Sequence, residues 1–255
     1  MVQLVKSEFE RMWRMKIVKG LLLITLITTG ACIYFLTLFD NGQFTPEVNT
    51  QLNAVNFSWF VLREVSFFVS LILTPILTII MFNSEVKSKK YYLIMCRPFN
   101  RMKLLLSKWI TLFMLMAGVT LFILLAGIIG GALLYSMPEY VQFFDDPIRY
   151  NIVEGYLYTI KYYTLFYFIL VANICLCSSI ALLMPNAMIA FFSTLFMFIM
   201  PVYFMDDFLY LLLPTQFIFE SLSVEGLPNM YVLMFFTIAL FVPISSLTWK
   251  NRDFY

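Results

Sequence analysis

Six stretches of this 255-residue chain contain no Asp, Glu, Lys or Arg: 21–39, 65–82, 109–135, 162–184, 187–205 and 229–247. An uncharged apolar run of about twenty residues, wound as a helix, crosses a hydrocarbon core about 30 Å thick. Inside lipid there is no water to bond the backbone, so each run must pair its own N–H and C=O groups. The expected fold is therefore all-α: a polytopic membrane protein with six transmembrane helices in a single domain over 1–255. The chain is 62% hydrophobic with a mean hydropathy of +0.86, against about 45–50% apolar residues in a soluble domain. Pro75 predicts a kink in the second run. The second run is started at 65 because Arg63 and Glu64 interrupt apolar sequence that begins near Phe57.

The basic residues orient the chain. With the N-terminus inside, fourteen Lys and Arg fall in inner segments and three (Arg63, Arg149, Lys161) in outer ones. That asymmetry predicts a cell-membrane protein with both termini cytoplasmic. Eleven acids lie outside. Residues 1–20 read as an amphipathic helix lying in the headgroup region: Val5, Phe9, Met12, Trp13 and Ile17 share a face, with Ser7, Glu10, Arg11 and Arg14 opposite. An ordinary charged flank is the alternative. Residues 206–228 are expected to re-enter or cap the membrane on the outer side.

Several functions are disfavoured. There is no histidine, which removes the commonest general base and metal ligand. A net charge of +2 gives nucleic-acid binding no electrostatic support. The six runs hold no charge of the kind that marks ion and proton paths, and Asn173 is the most polar residue at depth. No phosphate-cradling GxxxxGK[ST] loop is present. The cysteines Cys32, Cys96, Cys175 and Cys177 read as small apolar residues and not as a metal or disulfide framework. A protein that transports without a motor of its own is what remains. Two rivals stay open: a membrane enzyme using the outer acids Asp145, Asp146, Asp206 and Asp207, and a receptor or sensor subunit that moves nothing.

The longest polar interval between two of the runs is 83–108. It carries seven bases and one acid, Glu85, around an apolar centre, Tyr91-Tyr92-Leu93-Ile94-Met95-Cys96. On charge alone this is a loop that sets topology. The apolar centre suggests instead a short cytoplasmic helix offered to a soluble partner. Phe82-Asn83-Ser84-Glu85 closes the second run, Arg97-Pro98-Phe99-Asn100-Arg101 follows, and Ser107-Lys108 opens the third. This layout resembles ABC-2-type transporter permeases, in which a Glu after the second span precedes a short helix, a Pro-x-x-Arg turn and a Lys at the third span. The tail Lys250-Asn251-Arg252-Asp253 resembles that family's basic ending, with Asn251 as a departure. No Gly stands near Lys89-Lys90, where the family often has one.

The resemblance implies a non-catalytic permease subunit paired with a second permease, most simply as a homodimer, above ATP-binding-cassette ATPase subunits that hold ATP and Mg. This chain itself needs no cofactor. It implies that 83–108 is the coupling segment, with Glu85, Tyr91, Tyr92, Leu93, Arg97, Pro98, Arg101 and Lys108 meeting the ATPase. It also implies that the first, second and fifth spans surround the substrate path. On the fifth span Phe191, Phe192, Phe196, Met197 and Met200 offer adaptable apolar surface, although packing or lipid contact explains such residues equally well. The expected cargo is amphipathic or lipophilic, an antimicrobial-type peptide by preference, with lipids and drug-like molecules as alternatives.

Overall fold

The computed structural model describes residues 1–40, 42–43, 49–87, 101–143, 149–204, 206–223 and 229–251. The described chain is helical almost throughout. Its β structure is one antiparallel pair of two-residue strands, β1 (Gly42–Gln43) and β2 (Asn49–Thr50), and a bridge from Val141 to Tyr150. Five helical stretches are long and apolar enough to cross a membrane: Lys16–Phe39, Phe57–Asn83, Arg101–Leu134, Ile152–Leu183 and Tyr231–Asn251. The apolar run at Ala187–Tyr203 is shorter.

The first two helices are divided at Met15, earlier than the expected boundary between 20 and 21. α1 spans Val2–Arg14 and α2 spans Lys16–Phe39, divided by an extended Met15 at φ −74° and ψ 124°. Neither Gly nor Pro marks that break, so it carries no local signal. α3 (Phe57–Phe68) begins eight residues before the expected 65 and runs through a π-helical turn, Val69–Leu73, into α4 (Thr74–Lys87). Pro75 accounts for the wide turn: it has no N–H to give the preceding turn. Val69 O accepts both the backbone N–H of Thr74 and its Oγ1, the latter at 2.8 Å.

Two features bring α3 so far outward. Asn53 Oδ1 accepts from the backbone N–H groups of Val55 (3.0 Å) and Asn56 (2.8 Å), while Asn56 Oδ1 accepts from Asn53 N (2.7 Å). This closed turn starts the helix. α5 (Arg101–Leu134) then packs against it at two glycines. A Cβ at Gly131 would lie 2.5 Å from Ala54 O, and one at Gly127 would lie 2.9 Å from Ser58 Cα. Small residues four apart let two membrane helices approach backbone to backbone.

α6 (Ile152–Leu183) is the central helix and is almost entirely buried. A capping box begins it: Asn151 Oδ1 accepts from Ile152 N at 3.0 Å and Glu154 Oε2 accepts from Asn151 N at 2.9 Å. Polar ends of aromatic residues tie it to α3: Trp59 Nε1 donates to Thr159 Oγ1 at 2.7 Å, and Tyr163 donates to Ser58 O at 2.8 Å. α7 (Ala187–Ile199) stops where Pro201 tightens the chain into a 3-10 turn, Met200–Tyr203. Together they reach about 28 Å, just short of the core thickness. α8 (Pro214–Ser221) follows a second 3-10 turn and buries Phe217, Ile218 and Phe219 against α3 and α6. α9 (Asn229–Asn251) lies along α6, where Ser245 shares hydrogen bonds with Ser178 and Ser179. The apolar side chains left open on α2, α7 and α9 suit helices bathed in lipid, which does not penalise them.

Candidate functional site

A buried ionic cluster joins three helices at the end of the bundle that carries both roots of the 83–108 segment. Glu8 of α1, only 6% exposed, meets Arg11 Nη2 at 2.6 Å and Lys108 Nζ at 3.6 Å. Lys108, two turns into α5, also donates to Met81 O of α4 at 3.3 Å, and Arg11 donates to Met81 Sδ at 3.0 Å. Buried charge survives only when paired, so α1, α4 and α5 are held to one another here. The sequence reading singled out Lys108 but not its partner. It placed Val5, Phe9, Met12, Trp13 and Ile17 on one lipid-facing side of the first helix; Phe9, Trp13 and Ile17 are exposed, whereas Leu4, Val5, Glu8, Arg11 and Met12 face the protein. Glu8 precedes Met12 by one helical turn. That spacing is the one sequence signal that puts both on a single face.

The roots of the 83–108 segment are anchored on α9. Trp249 Nε1 donates to Arg101 O at 2.9 Å, Arg101 Nη1 donates to Lys250 O at 3.3 Å, and Phe82 meets the Trp249 ring edge-on at 6.3 Å. Asn83 Nδ2 reaches Met184 O at 3.5 Å. Glu85 belongs to the last turns of α4. Tyr91, Tyr92, Leu93, Arg97 and Pro98 lie outside the described residues.

The second region is the open side of α2, α3–α4 and α7. On α7, Ala190, Thr194 and Phe198 are buried, while Phe192, Phe196 and Met200 are exposed and Phe191 and Met197 lie between. The sequence-predicted residues therefore divide, three of five lying open. The long α3–α4 helix is buried except along one stripe bearing Glu64, Phe67 and Ile72. Its α3 half packs against α2 and its α4 half against α7.

That stripe overturns one expectation. Because α3 starts at Phe57, Arg63 and Glu64 belong to an apolar helix of 27 residues long enough to cross a membrane. Arg63 is half-buried and Glu64 is exposed. Asn173 of α6 and Ser70 of the π turn are buried without a hydrogen-bond partner among the described residues. Among the described residues no group of three or more Cys, Asp or Glu is placed to hold a metal.

Long apolar helices around a buried central one, with charge confined to their ends and to one open stripe, define a multi-pass membrane protein. The family model described as ABC-2 family transporter protein matches residues 4–201. The chain belongs to that family, as the loop motifs of 83–108 indicated. Membership makes it a membrane transport component of a kind that associates with an ATPase partner. No curated protein matches the chain.

Proposed function

We propose that this chain is the permease subunit of an ATP-driven exporter that moves an amphipathic or lipophilic cargo, an amphipathic peptide above all, out of the membrane. Family membership over residues 4–201 is the observation that carries the reading. In this reading the chain crosses the bilayer six times, α7 with its 3-10 extension serving as the shortest crossing. Both termini are cytoplasmic, and α1 rests in the headgroup region with Phe9 and Trp13 toward lipid. Two copies pair through their open α2, α3–α4 and α7 sides, and the path runs between them past Phe192, Phe196 and Met200.

Residues 83–108 meet the ATPase, which holds ATP and Mg. Glu85, Tyr91, Tyr92, Leu93, Arg97 and Pro98 would form that contact, with Arg101 and Lys108 passing its movement into α9 and α1. The anchoring of α5 to α9 and of Lys108 to Glu8 supports this reading, since a push on the segment would be carried by rigid elements. The test is ATP hydrolysis by the purified complex in lipid, titrated with an amphipathic cationic helix and with its scrambled isomer. Stimulation by the amphipathic isomer alone is expected. Equal response to both isomers, or to neither while a lipid or drug stimulates, overturns the peptide cargo.

A further inference from the structure

We propose that the groove between α1, α2 and α5 is a binding site for an anionic phospholipid, with one acyl chain in the groove and the phosphate at the basic edge of α1. The inference rests on α1 lying at the membrane surface, as in the reading above, and is independent of the cargo. The groove is a cavity of about 300 Å³. Thr25 of α2 and Leu115 and Val119 of α5 are buried and form its floor, while Leu26 and Phe122 stand exposed at its edges. Phe9 and Trp13, stacked with ring centroids 6.2 Å apart, close it on the α1 side. Thr25 Oγ1 donates to Leu21 O at 2.8 Å, so the floor offers an incoming group only hydrocarbon. From Leu115 to Phe122 the α5 wall runs about 10 Å along the helix, about two thirds of the depth of one leaflet. Gly118 lines the groove, and a Cβ there would meet nothing within 4 Å. A slot of that length, dry and without a side chain at Gly118, suits a flexible hydrocarbon chain.

The chemistry of the opening selects the headgroup. Phe9 and Trp13 also border a second cavity, of about 310 Å³, that Glu10 and Arg14 complete. The apolar groove and this charged recess therefore meet at the ring pair. Lys6, Glu10 and Arg14 stand four residues apart and form one stripe along α1 beside the rings. Lys16 and Lys19 follow at the start of α2. All five are exposed, four bases against one acid. Arg11 adds nothing to that excess, because it is held with Lys108 on buried Glu8. A basic edge beside an apolar slot is complementary to a negative headgroup above a hydrocarbon chain. An arginine recognises phosphate by paired hydrogen bonds as well as by charge. A lipid so seated bears on α1, which Glu8 joins to Lys108 of α5 at the root of the 83–108 segment.

Photo-labelling tests this. A phosphatidylglycerol and a phosphatidylcholine, each bearing a diazirine midway along one acyl chain, are added in trace amounts to the full chain in phosphatidylcholine nanodiscs. After irradiation the labelled peptides are located by mass spectrometry. The phosphatidylglycerol probe is expected to label α1, α2 and α5 within 9–26 and 114–122, at least about tenfold more than the phosphatidylcholine probe does. Gly118→Phe, which fills the groove, should remove that labelling while leaving the unfolding midpoint in lipid-free detergent unchanged. Gly118→Ala should retain most of it. Arg14→Gln should reduce the preference for phosphatidylglycerol at least about threefold without moving the labelled positions. Labelling that survives Gly118→Phe, or that is equal for the two headgroups, marks bulk lipid and overturns the site alone. Labelling confined to α2 and α5 puts α1 away from the headgroups and overturns both the site and the surface placement of α1. A disulfide between two copies at Leu26→Cys, in a chain carrying Cys32→Ala, Cys96→Ala, Cys175→Ala and Cys177→Ala, would mean that a second copy fills the groove and would overturn the site as well.

Discussion

Glu8 and Glu64 are both carboxylates on apolar helices, and the fold treats them in opposite ways. Glu8 is buried at the end of the bundle that carries the roots of the 83–108 segment, held between Arg11 and Lys108. Glu64 is exposed on the open stripe of α3 and makes no ion pair with a described residue. The first charge completes a joint between α1, α4 and α5. The second takes no part in the packing of the described helices. A charge neutralised by packing serves structure, and removing it disturbs more than its own side chain.

The contrast is broken most forcefully at Glu8. Glu8→Ala removes the carboxylate that buried Lys108 shares with Arg11. It is expected to cost about 3–5 kcal/mol, the usual penalty for removing one partner of a buried pair, read as unfolding free energy in mixed micelles. The double variant Glu8→Leu with Lys108→Met should recover most of that loss, because both charges of the Glu8–Lys108 pair are then gone. A cost below about 1 kcal/mol for Glu8→Ala would mean that water reaches the cluster and that the two carboxylates do not differ in kind.

A smaller effect is expected where the contrast is set up structurally. Gly131→Leu forces a side chain into the 2.5 Å approach to Ala54 O and should cost about 1–3 kcal/mol by overpacking. Gly118→Ala on the same helix, where a Cβ meets nothing within 4 Å, should be tolerated. The smallest effect belongs to Glu64→Gln, which should leave the unfolding midpoint unchanged, since no described partner is lost. A marked destabilisation there would show that Glu64 is structurally paired in the assembled protein and would erase the distinction from Glu8.

Much of this protein was legible without coordinates. Uncharged runs of about twenty residues dictate helices, because hydrocarbon offers the backbone no other partner. The loop motifs from Asn83 to Lys108 identified the family, because short patterns of charge and proline are local. Helix ends were harder to read. The break at Met15 has no Gly or Pro to announce it, and α7 closes early through a 3-10 turn. The start of α3 at Phe57 depends on an asparagine turn and on two glycines of α5 more than seventy residues away in sequence.

What composition and periodicity determine is which segments leave water. What only tertiary structure decides is which way each side chain then faces. Val5 and Met12 were read as lipid-facing together with Phe9 and Trp13, yet they turn to the protein, because hydrophobicity does not distinguish a protein neighbour from a lipid one. Glu8 was passed over because one acid in a basic helix resembles any solvated acid until Lys108 is brought to it from a hundred residues further along the chain. Arg63 and Glu64 were read as the end of a span because charge in lipid is costly. Long-range packing of α3 on α5 and α6 extends the helix back to Phe57 and takes both charges into it.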